Sequence, residues 1–349
     1  MIVLVVTMQL LLPGHANVVR VYNEDIFRPY QSFRNMTIGA VPVSIGDVLY
    51  LIGGIAILIT LARWVYFLVR VKTHGQYFGH SLVRCMITWG ILYVLFFIGW
   101  GGNYYKPSLT RYWHLQYTNT LKESALVSFD SFLVDKINTY ATNYREHSFK
   151  EADKKSQTYY KAFTDSRTRL HGLNAKASLF GYFMQYLGIQ GYYNPFTGEA
   201  QVNRFLPSFM LPFVICHEMA HQSGVAAEDD ANLLSYAVCT AVPDSSFRYS
   251  AYLNIWLYTN SRMRMIDSTL ANSFRERLNP LSRGHLDTLR AIRRRYRSGL
   301  SEYSGQIYDG YLRLHNQKDG IHSYNNVALT AWALEQRRPF VKDWLIRIP

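Results

Sequence analysis

Two long apolar stretches dominate the first third of the chain. The stretch 48–69 contains a single charged residue, Arg63, and the stretch 85–105 contains none. Each is long enough to cross about 30 Å of hydrocarbon as a helix. We therefore predict two transmembrane helices, although two buried helices of a large soluble core would show the same pattern. Aromatic residues near their ends match interfacial anchors: Trp64, Tyr66, Trp100, Tyr104 and Tyr105.

A third apolar stretch, residues 1–12, is shorter and allows several interpretations. It lacks the basic flank that usually accompanies a signal peptide. A signal-anchor, a cleaved signal peptide and a span shortened by a misplaced start codon all remain open. Each of them places residues 13–46 on the outer side of the membrane.

The distribution of basic residues predicts the orientation of the two spans. The connecting segment 70–84 carries three basic residues and no acidic one, whereas 13–46 spreads its basic residues among acidic ones. The positive-inside rule therefore places the connecting segment in the cytoplasm. The chain then divides into a membrane region, residues 1–105, and an extracytoplasmic domain, residues 106–349.

The pattern beyond residue 106 predicts a mainly helical domain. Apolar residues recur at helical spacing over 120–170, and the chain after Pro243 shows helical patterning again. Residues 189–203 differ, because aromatic and β-branched residues flank the turn signals Asn194-Pro195 and Thr197-Gly198. They predict a small β-hairpin or sheet. Such a hairpin could offer an edge to an extended substrate or serve packing alone.

One short segment has the pattern of a zinc-binding helix. His217 and His221 are four residues apart, so their imidazoles lie on the same face of an α-helix. Glu218 lies next to them without ligating, where a general base can take a proton from water activated by the metal. Pro212 fits the first turn of this helix and Gly224 fits the position after its last turn. The pattern predicts one bound Zn²⁺ ion.

A second predicted helix supplies the third ligand. It opens near Glu228, and three acidic residues occupy the first turn, where the helix dipole favours them. Glu228 and Asn232 share a face, so Glu228 can reach the metal while Asn232 orients a ligating histidine. Asp229 remains an alternative third ligand. Two histidines and one carboxylate leave a coordination position open, as in catalytic zinc sites.

Several segments around this motif resemble one protein family. They are 191–203, 206–207, 212–213, 217–232 and the stretch 100–105. Together they are similar to a bacterial domain-of-unknown-function family of membrane-anchored zinc metallopeptidases of the gluzincin type. Its pattern is PFTxEAxVN followed by HExxHQxGxxxExxAN. The resemblance extends from near residue 40 to the C-terminus.

The resemblance implies a zincin-like catalytic domain in a multi-pass protein of the bacterial inner or cytoplasmic membrane. That domain is expected to face the periplasm or the cell exterior. His217, His221 and Glu228 correspond to the metal ligands of the family and Glu218 to its base. The family is largely uncharacterised, so the resemblance implies no substrate.

The basic character of the chain raises the question of nucleic-acid binding. The formal net charge is +13, and five arginines fall within residues 290–297. Aromatic residues are sparse in this run, and an outward-facing membrane domain rarely meets nucleic acid. We therefore expect no nucleic-acid partner. The run is interpreted as a solvated helix face, with a contact to anionic lipid headgroups as the alternative.

Three cysteines, an odd number, argue against a disulfide scaffold. Cys85 lies in a predicted span. A bridge between Cys216 and Cys239 stays open, although small buried thiols are the commoner use of such residues.

The combined expectation is a membrane-anchored zinc metallopeptidase that hydrolyses peptide bonds, with a peptide or protein substrate and the lipid bilayer as partners. Transition-state stabilisation needs a further donor, expected from the C-terminal helices. The candidates for that donor are Tyr324, His322, Tyr236 and Tyr258. The alternative function is a non-catalytic sensor or scaffold whose metal is fully coordinated by protein, with Asp229 as fourth ligand. A transporter is disfavoured because neither span contains an acidic residue, and the oligomeric state is left open.

Overall fold

The computed structural model describes residues 15–115, 123–163, 170–300 and 324–337, together with Thr7, Leu12 and Gln306. Within these residues the protein is mainly helical and has one small mixed sheet, as predicted. The first helices are α1 (Ala16–Val21), a π-helical turn (Tyr22–Phe27), α2 (Arg28–Thr37), α3 (Ile45–Val69), α4 (Val71–Gly99) and a 3-10 turn (Gly101–Tyr105).

Helices α3 and α4 form a hairpin, and both are long and apolar enough to cross a membrane. Their most apolar windows have mean hydropathies of 2.2 and 2.0. The structure differs from the sequence prediction over residues 70–84, where Arg70 alone interrupts the helix. This segment contains no proline and packs on α3, since Trp64 Nε1 donates to Ser81 Oγ at 2.9 Å. The connecting segment is therefore helical, and α4 ends at Gly99.

The remaining helices build the domain that follows the hairpin. Helix α6 packs along α11, and α9 packs on α10. Their bounds are α5 (Leu109–Tyr112), α6 (Glu123–Ala141), α7 (Phe149–Ala162), α8 (Gly181–Leu187), α9 (Leu211–Gln222), α10 (Glu228–Ala241), α11 (Ser245–Ile266), α12 (Ser268–Glu276), α13 (Pro280–Arg295) and α14 (Tyr324–Arg337).

The sheet has the strand order β1-β3-β2. Strands β2 (Gly191–Asn194) and β3 (Glu199–Val202) form the predicted hairpin, and its turn is closed by Asn194 Oδ1, which accepts from two backbone N–H groups. Strand β1 (Ala175–Ala177) runs parallel to β3. The sequence pattern did not predict β1, because three residues are too few to show an alternation of apolar and polar positions.

A buried ion pair ties the start of α3 to the sheet. Lys176 on β1 and Glu199 on β3 are 2.6 Å apart, and their side chains are only 5% and 2% exposed. Glu199 also accepts from the backbone N–H groups of Ile45 and Gly46, the first residues of α3. The otherwise unpaired N–H groups of this helix end are therefore satisfied by the sheet.

Asp47 forms the second connection between α3 and the sheet. Its carboxylate accepts from the hydroxyl of Ser178, from the backbone N–H of Leu179 and from the hydroxyl of Tyr192 on β2. The rings of Tyr192 and Tyr50 stack one turn further along α3, with centroids 6.1 Å apart. The position of α3 relative to β2 is thus fixed by both polar and aromatic contacts.

Helix α2 is hydrogen-bonded to the turn of the β-hairpin. Arg34 donates to the carbonyl of Pro195 at 2.7 Å and to the carbonyl of Gly99 at 3.2 Å. Gln31 donates to the carbonyl of Gly198 at 2.8 Å. Because these groups are buried, α2 joins the end of α4 and the hairpin into one packed unit.

Asp130 on α6 makes stability depend on pH. Burial raises its pKa from 3.8 to about 7, against the opposing effects of Asn260, Trp256 and Arg277. Between these two values the folded protein binds more protons than the unfolded chain, so stability falls as the pH rises. Replacing Asp130 with asparagine removes the charge. We therefore expect the melting temperature of the variant to exceed that of the wild type at pH 8.

Melting curves recorded across the titration range check this prediction. The advantage of Asp130→Asn should grow between pH 4 and pH 7, at about 1.4 kcal/mol or less per pH unit. A difference from the wild type that stays constant over this range would contradict the role given to Asp130.

Candidate metal centre

The predicted metal helix is α9, and its ends lie where the sequence places them. Pro212 occupies the first turn, and Gly224 follows the last turn with a φ of +92°. A Cβ atom at Gly224 would also lie 2.4 Å from the ring of Phe27. Glycine therefore allows the sharp bend that brings α10 back alongside α9.

His217 and His221 on α9 meet Glu228, the first residue of α10. The Nε2 atoms of the two histidines are 3.2 Å apart. Glu228 Oε2 lies 3.3 Å from His217 Nε2, and Oε1 lies 3.4 Å from His221 Nε2. Donors in a tetrahedral zinc site, each about 2.0–2.1 Å from the ion, are about 3.3 Å apart. Within the described ranges, this is the one His, Cys, Asp and Glu cluster that could hold a metal ion.

The loop after α9 orients His221. Its Nδ1 atom lies 2.7 Å from the backbone carbonyl of Val225. A carbonyl oxygen can only accept, so Nδ1 carries a proton and Nε2 is the atom left for a metal. No sequence signal marked Val225 for this contact, because a backbone carbonyl is available at every position.

Trp100 lies under the same histidine. Its ring packs edge-on against His221 with the centroids 6.1 Å apart, and the residue is buried. The prediction that Trp100 anchors the membrane surface is therefore wrong. The 3-10 turn after α4 directs Trp100 inward, where it also packs on Tyr193 of β2 with ring centroids 4.3 Å apart.

Charge pairing dominates the electrostatics of the cluster. Burial favours the neutral form of Glu228, but His221 and the hydrogen bonds from both histidines hold its pKa well below the usual value. Burial also opposes the charging of His221, yet Glu228 raises the pKa of that imidazole to about 9. At His217 burial prevails and lowers the pKa. The Glu228 carboxylate is thus ionised and His217 is neutral, the forms in which these groups bind metals, whereas His221 carries a second proton that a metal ion would displace from Nε2.

Glu218 is buried beside the cluster and faces strand β2. Its Oε2 atom has no hydrogen-bond partner among the described residues, and burial raises the pKa of the carboxyl group to about 8. A Cβ atom at Gly191 would lie 2.4 Å from Glu218 Oε1. A glycine at the start of β2 therefore lets the strand pass close to this carboxyl group. Sequence reasoning missed Gly191, although a glycine within a predicted strand is a signal for close approach.

Asn232 and Asp229 occupy different positions relative to the cluster. Asn232 Nδ2 donates to the backbone carbonyl of Glu228 at 2.8 Å, and the amide also acts to raise the pKa of His217. Asn232 thus supports the turn that carries the third candidate ligand. Asp229 lies outside the cluster, and its Oδ1 accepts from the backbone N–H of Asp230 at 3.0 Å.

The candidate transition-state donors are placed as follows. Tyr258 on α11 is close enough to Glu228 that burial, together with the negative charge of this carboxylate, raises its pKa. Tyr236 donates to Glu335 Oε1 at 2.9 Å and so points towards α14. Tyr324 is the first residue of α14, and its side chain lies outside the described part of the structure, as does the whole of His322.

Cys216 and Cys239 are buried free thiols. Cys216 Sγ lies 3.5 Å from Ser156 Oγ, and Cys239 Sγ lies 3.7 Å from the carbonyl oxygen of Pro212. The bridge that the sequence left open is not formed, and both residues serve as small core side chains.

The fold and the cluster define a class: a mainly helical protein with two helices apolar enough to span a membrane and a candidate His–His–Glu metal centre. The chain belongs to the family described as "Protein of unknown function (DUF3810)", whose profile matches residues 22–330. The predicted membership of a domain-of-unknown-function family is thereby confirmed. No curated protein matches the chain, and no solved structure matches it.

Proposed function

We propose that the protein is a zinc metallopeptidase anchored in a bacterial membrane. The observation that carries this proposal is the cluster of His217, His221 and Glu228 with Glu218 buried beside it. Two imidazoles and one carboxylate form the donor set of catalytic zinc sites, whereas closed structural sites use four protein ligands. A zincin-like fold is part of the proposal, and the passage of β2 over helix α9 supports it.

The residues of the cluster have distinct roles in the proposed reaction. His217, His221 and Glu228 would hold the zinc ion. When bound, zinc supplies a Lewis acid that polarises a carbonyl group and lowers the pKa of water. Glu218 Oε2, to which no described residue donates a hydrogen bond, is placed to accept the proton of the attacking water and to pass it to the leaving amine.

Strand β2 supports a peptide as the substrate. In the described sheet it pairs with β3 on one side, and the strand order leaves its second edge for another strand. An extended peptide paired with that edge would run past Glu218, because Gly191 lies against this side chain. Main-chain pairing selects peptides over small esters or amides, which have no strand to add.

The cluster is proposed to face the periplasm or the cell exterior. Arg70 and Lys72 lie at the tip of the α3–α4 hairpin, and the sheet lies at the opposite end, where α3 begins. The positive-inside rule favours a cytoplasmic tip. With the tip inside, the sheet and α9 lie on the outer side of the membrane.

Elemental analysis of the purified full-length protein tests the metal site. We expect one zinc ion per chain in the wild type and its loss in His221→Ala, because that substitution removes a ligand. His171→Ala is the matched control at an exposed histidine and should retain zinc. A chelator should stop the cleavage of peptides by the wild type, and added zinc should restore it.

Two results would decide against the proposal. A wild-type protein that binds no transition metal would remove its basis. Zinc bound by four protein ligands, as measured by X-ray absorption, without cleavage of any peptide would favour the sensor or scaffold with Asp229 as the fourth ligand.

A further inference from the structure

An exposed aromatic patch lies beside the start of α3. We define the patch as Leu179, Tyr182, Phe183 and Phe205, whose side chains are 54%, 59%, 54% and 50% exposed. Helix α8 carries the second and third of these residues. Contiguous exposure of large apolar side chains marks a contact surface rather than an ordinary solvated face.

The patch lies at the level where α3 becomes apolar. The backbone N–H of Leu179 donates to Asp47 in the first turn of α3 at 2.6 Å. The next residues of α3, from Val48 to Tyr50, have exposed apolar side chains. With a rise of 1.5 Å per residue, they follow Asp47 within about 5 Å along the helix axis. The patch therefore lies next to the point where α3 would enter a bilayer.

Basic side chains border the same surface. Tyr296, directly after α13, packs on Tyr186 of α8 with ring centroids 5.1 Å apart, and Ser298 Oγ donates to the carbonyl of Tyr186 at 2.9 Å. The C-terminal end of α13 is thereby held against α8, and the arginines within 293–297 are exposed there. Arg204 lies over the ring of Phe205.

We propose that the aromatic patch and the arginines of 293–297 dock onto the anionic headgroups of the bilayer that α3 and α4 span. Aromatic side chains favour the membrane–water interface, and arginines attract anionic lipid phosphates. The aromatic patch is continuous with the apolar surface of α3, and the C-terminal end of α13 beside it is positively charged. Both features favour a lipid surface as the binding partner of the patch. This inference depends on α3 and α4 spanning a membrane, and it is independent of zinc binding and hydrolysis.

Lipid-quenching fluorescence of the full-length protein in nanodiscs tests the proposal. A fluorophore is attached to Phe183→Cys in a Cys85→Ala background, since the other cysteines are buried. Lipids that carry a spin label at the headgroup should reduce its emission roughly twofold in discs containing phosphatidylglycerol, and less in phosphatidylcholine alone. Recovery of the protein in the discs reports on membrane insertion separately from quenching.

Two variants complete the test. Glu276→Cys carries the same fluorophore at an exposed site, separated from the α8 contact by the whole length of α13, and should stay unquenched. Replacing Arg293, Arg294 and Arg295 together with glutamine should lower the quenching at position 183 to its value in phosphatidylcholine. No quenching at position 183, or equal quenching at both label sites, would overturn the proposal. Cross-linking of position 183 to a second copy of the chain would replace the lipid surface with a protein interface.

Discussion

Glu218→Gln is expected to abolish peptide hydrolysis while leaving zinc bound. Glutamine keeps the size of the side chain but cannot accept the proton that Glu218 Oε2 is placed to receive. General bases typically contribute about 10²–10⁴-fold to the rate, so kcat should fall at least about a hundredfold. KM should change little, because the group acts in the transition state rather than in substrate binding. Zinc should remain, since Glu218 does not belong to the His217, His221 and Glu228 cluster.

The same chemical change at a remote site provides the control for this prediction. Glu276 is exposed at the end of α12, and Glu276→Gln should retain wild-type kcat and zinc content. Initial rates on a peptide substrate and elemental analysis of each protein supply the measurements. Full activity in Glu218→Gln would show that another group serves as the base.

Lys176→Met is expected to produce the largest loss of stability among the substitutions considered. It leaves the buried carboxylate of Glu199 without its counter-charge, and it removes the hydrogen bonds that Lys176 Nζ donates to the carbonyls of Ile38 and Val43. Removing one partner of a buried ion pair typically costs about 3–5 kcal/mol. For a domain of roughly 150–250 residues, each kcal/mol lowers the melting temperature by about 2–4 °C.

A double variant separates the unpaired charge from the lost packing. Lys176→Met combined with Glu199→Gln removes both charges, so it should melt above Lys176→Met alone. Lys150→Met at an exposed site is the matched control and should melt like the wild type. If Lys176→Met also melted like the wild type, the ion pair could not be what ties α3 to the sheet.

Local features of this fold could be predicted from the sequence. Pro212 and Gly224 mark the two ends of α9, because proline and glycine determine the backbone conformation at their own positions. Glu228 starts α10 within a run of acidic residues. The β2–β3 hairpin was marked by its turn residues. The two histidines of the metal cluster could also be predicted from local sequence, since a spacing of four residues places them on one helix face.

Contacts between distant segments could not be predicted in the same way. Lys176 and Glu199 are ordinary charged residues in the sequence, and only the parallel pairing of β1 with β3 buries them together. Trp100 lies near the end of an apolar stretch and so fits an interfacial anchor equally well. Its burial beneath His221 depends on the path of the chain after α4, which no periodicity encodes.

The hydrogen bonds between α2 and the hairpin turn have a consequence for the synthesis and folding of the protein. Gln31 and Arg34 are synthesised long before the carbonyls of Pro195 and Gly198 that they bind. With α3 and α4 spanning the membrane as proposed, the segment that contains α2 must already have crossed the membrane when the ribosome reaches the β2–β3 hairpin. Helix α2 can bind the hairpin only after the hairpin has crossed as well. A fragment beginning at residue 106 would lack α2 as the partner of the hairpin turn and should misfold, so a gene cut at that point should not yield a folded domain.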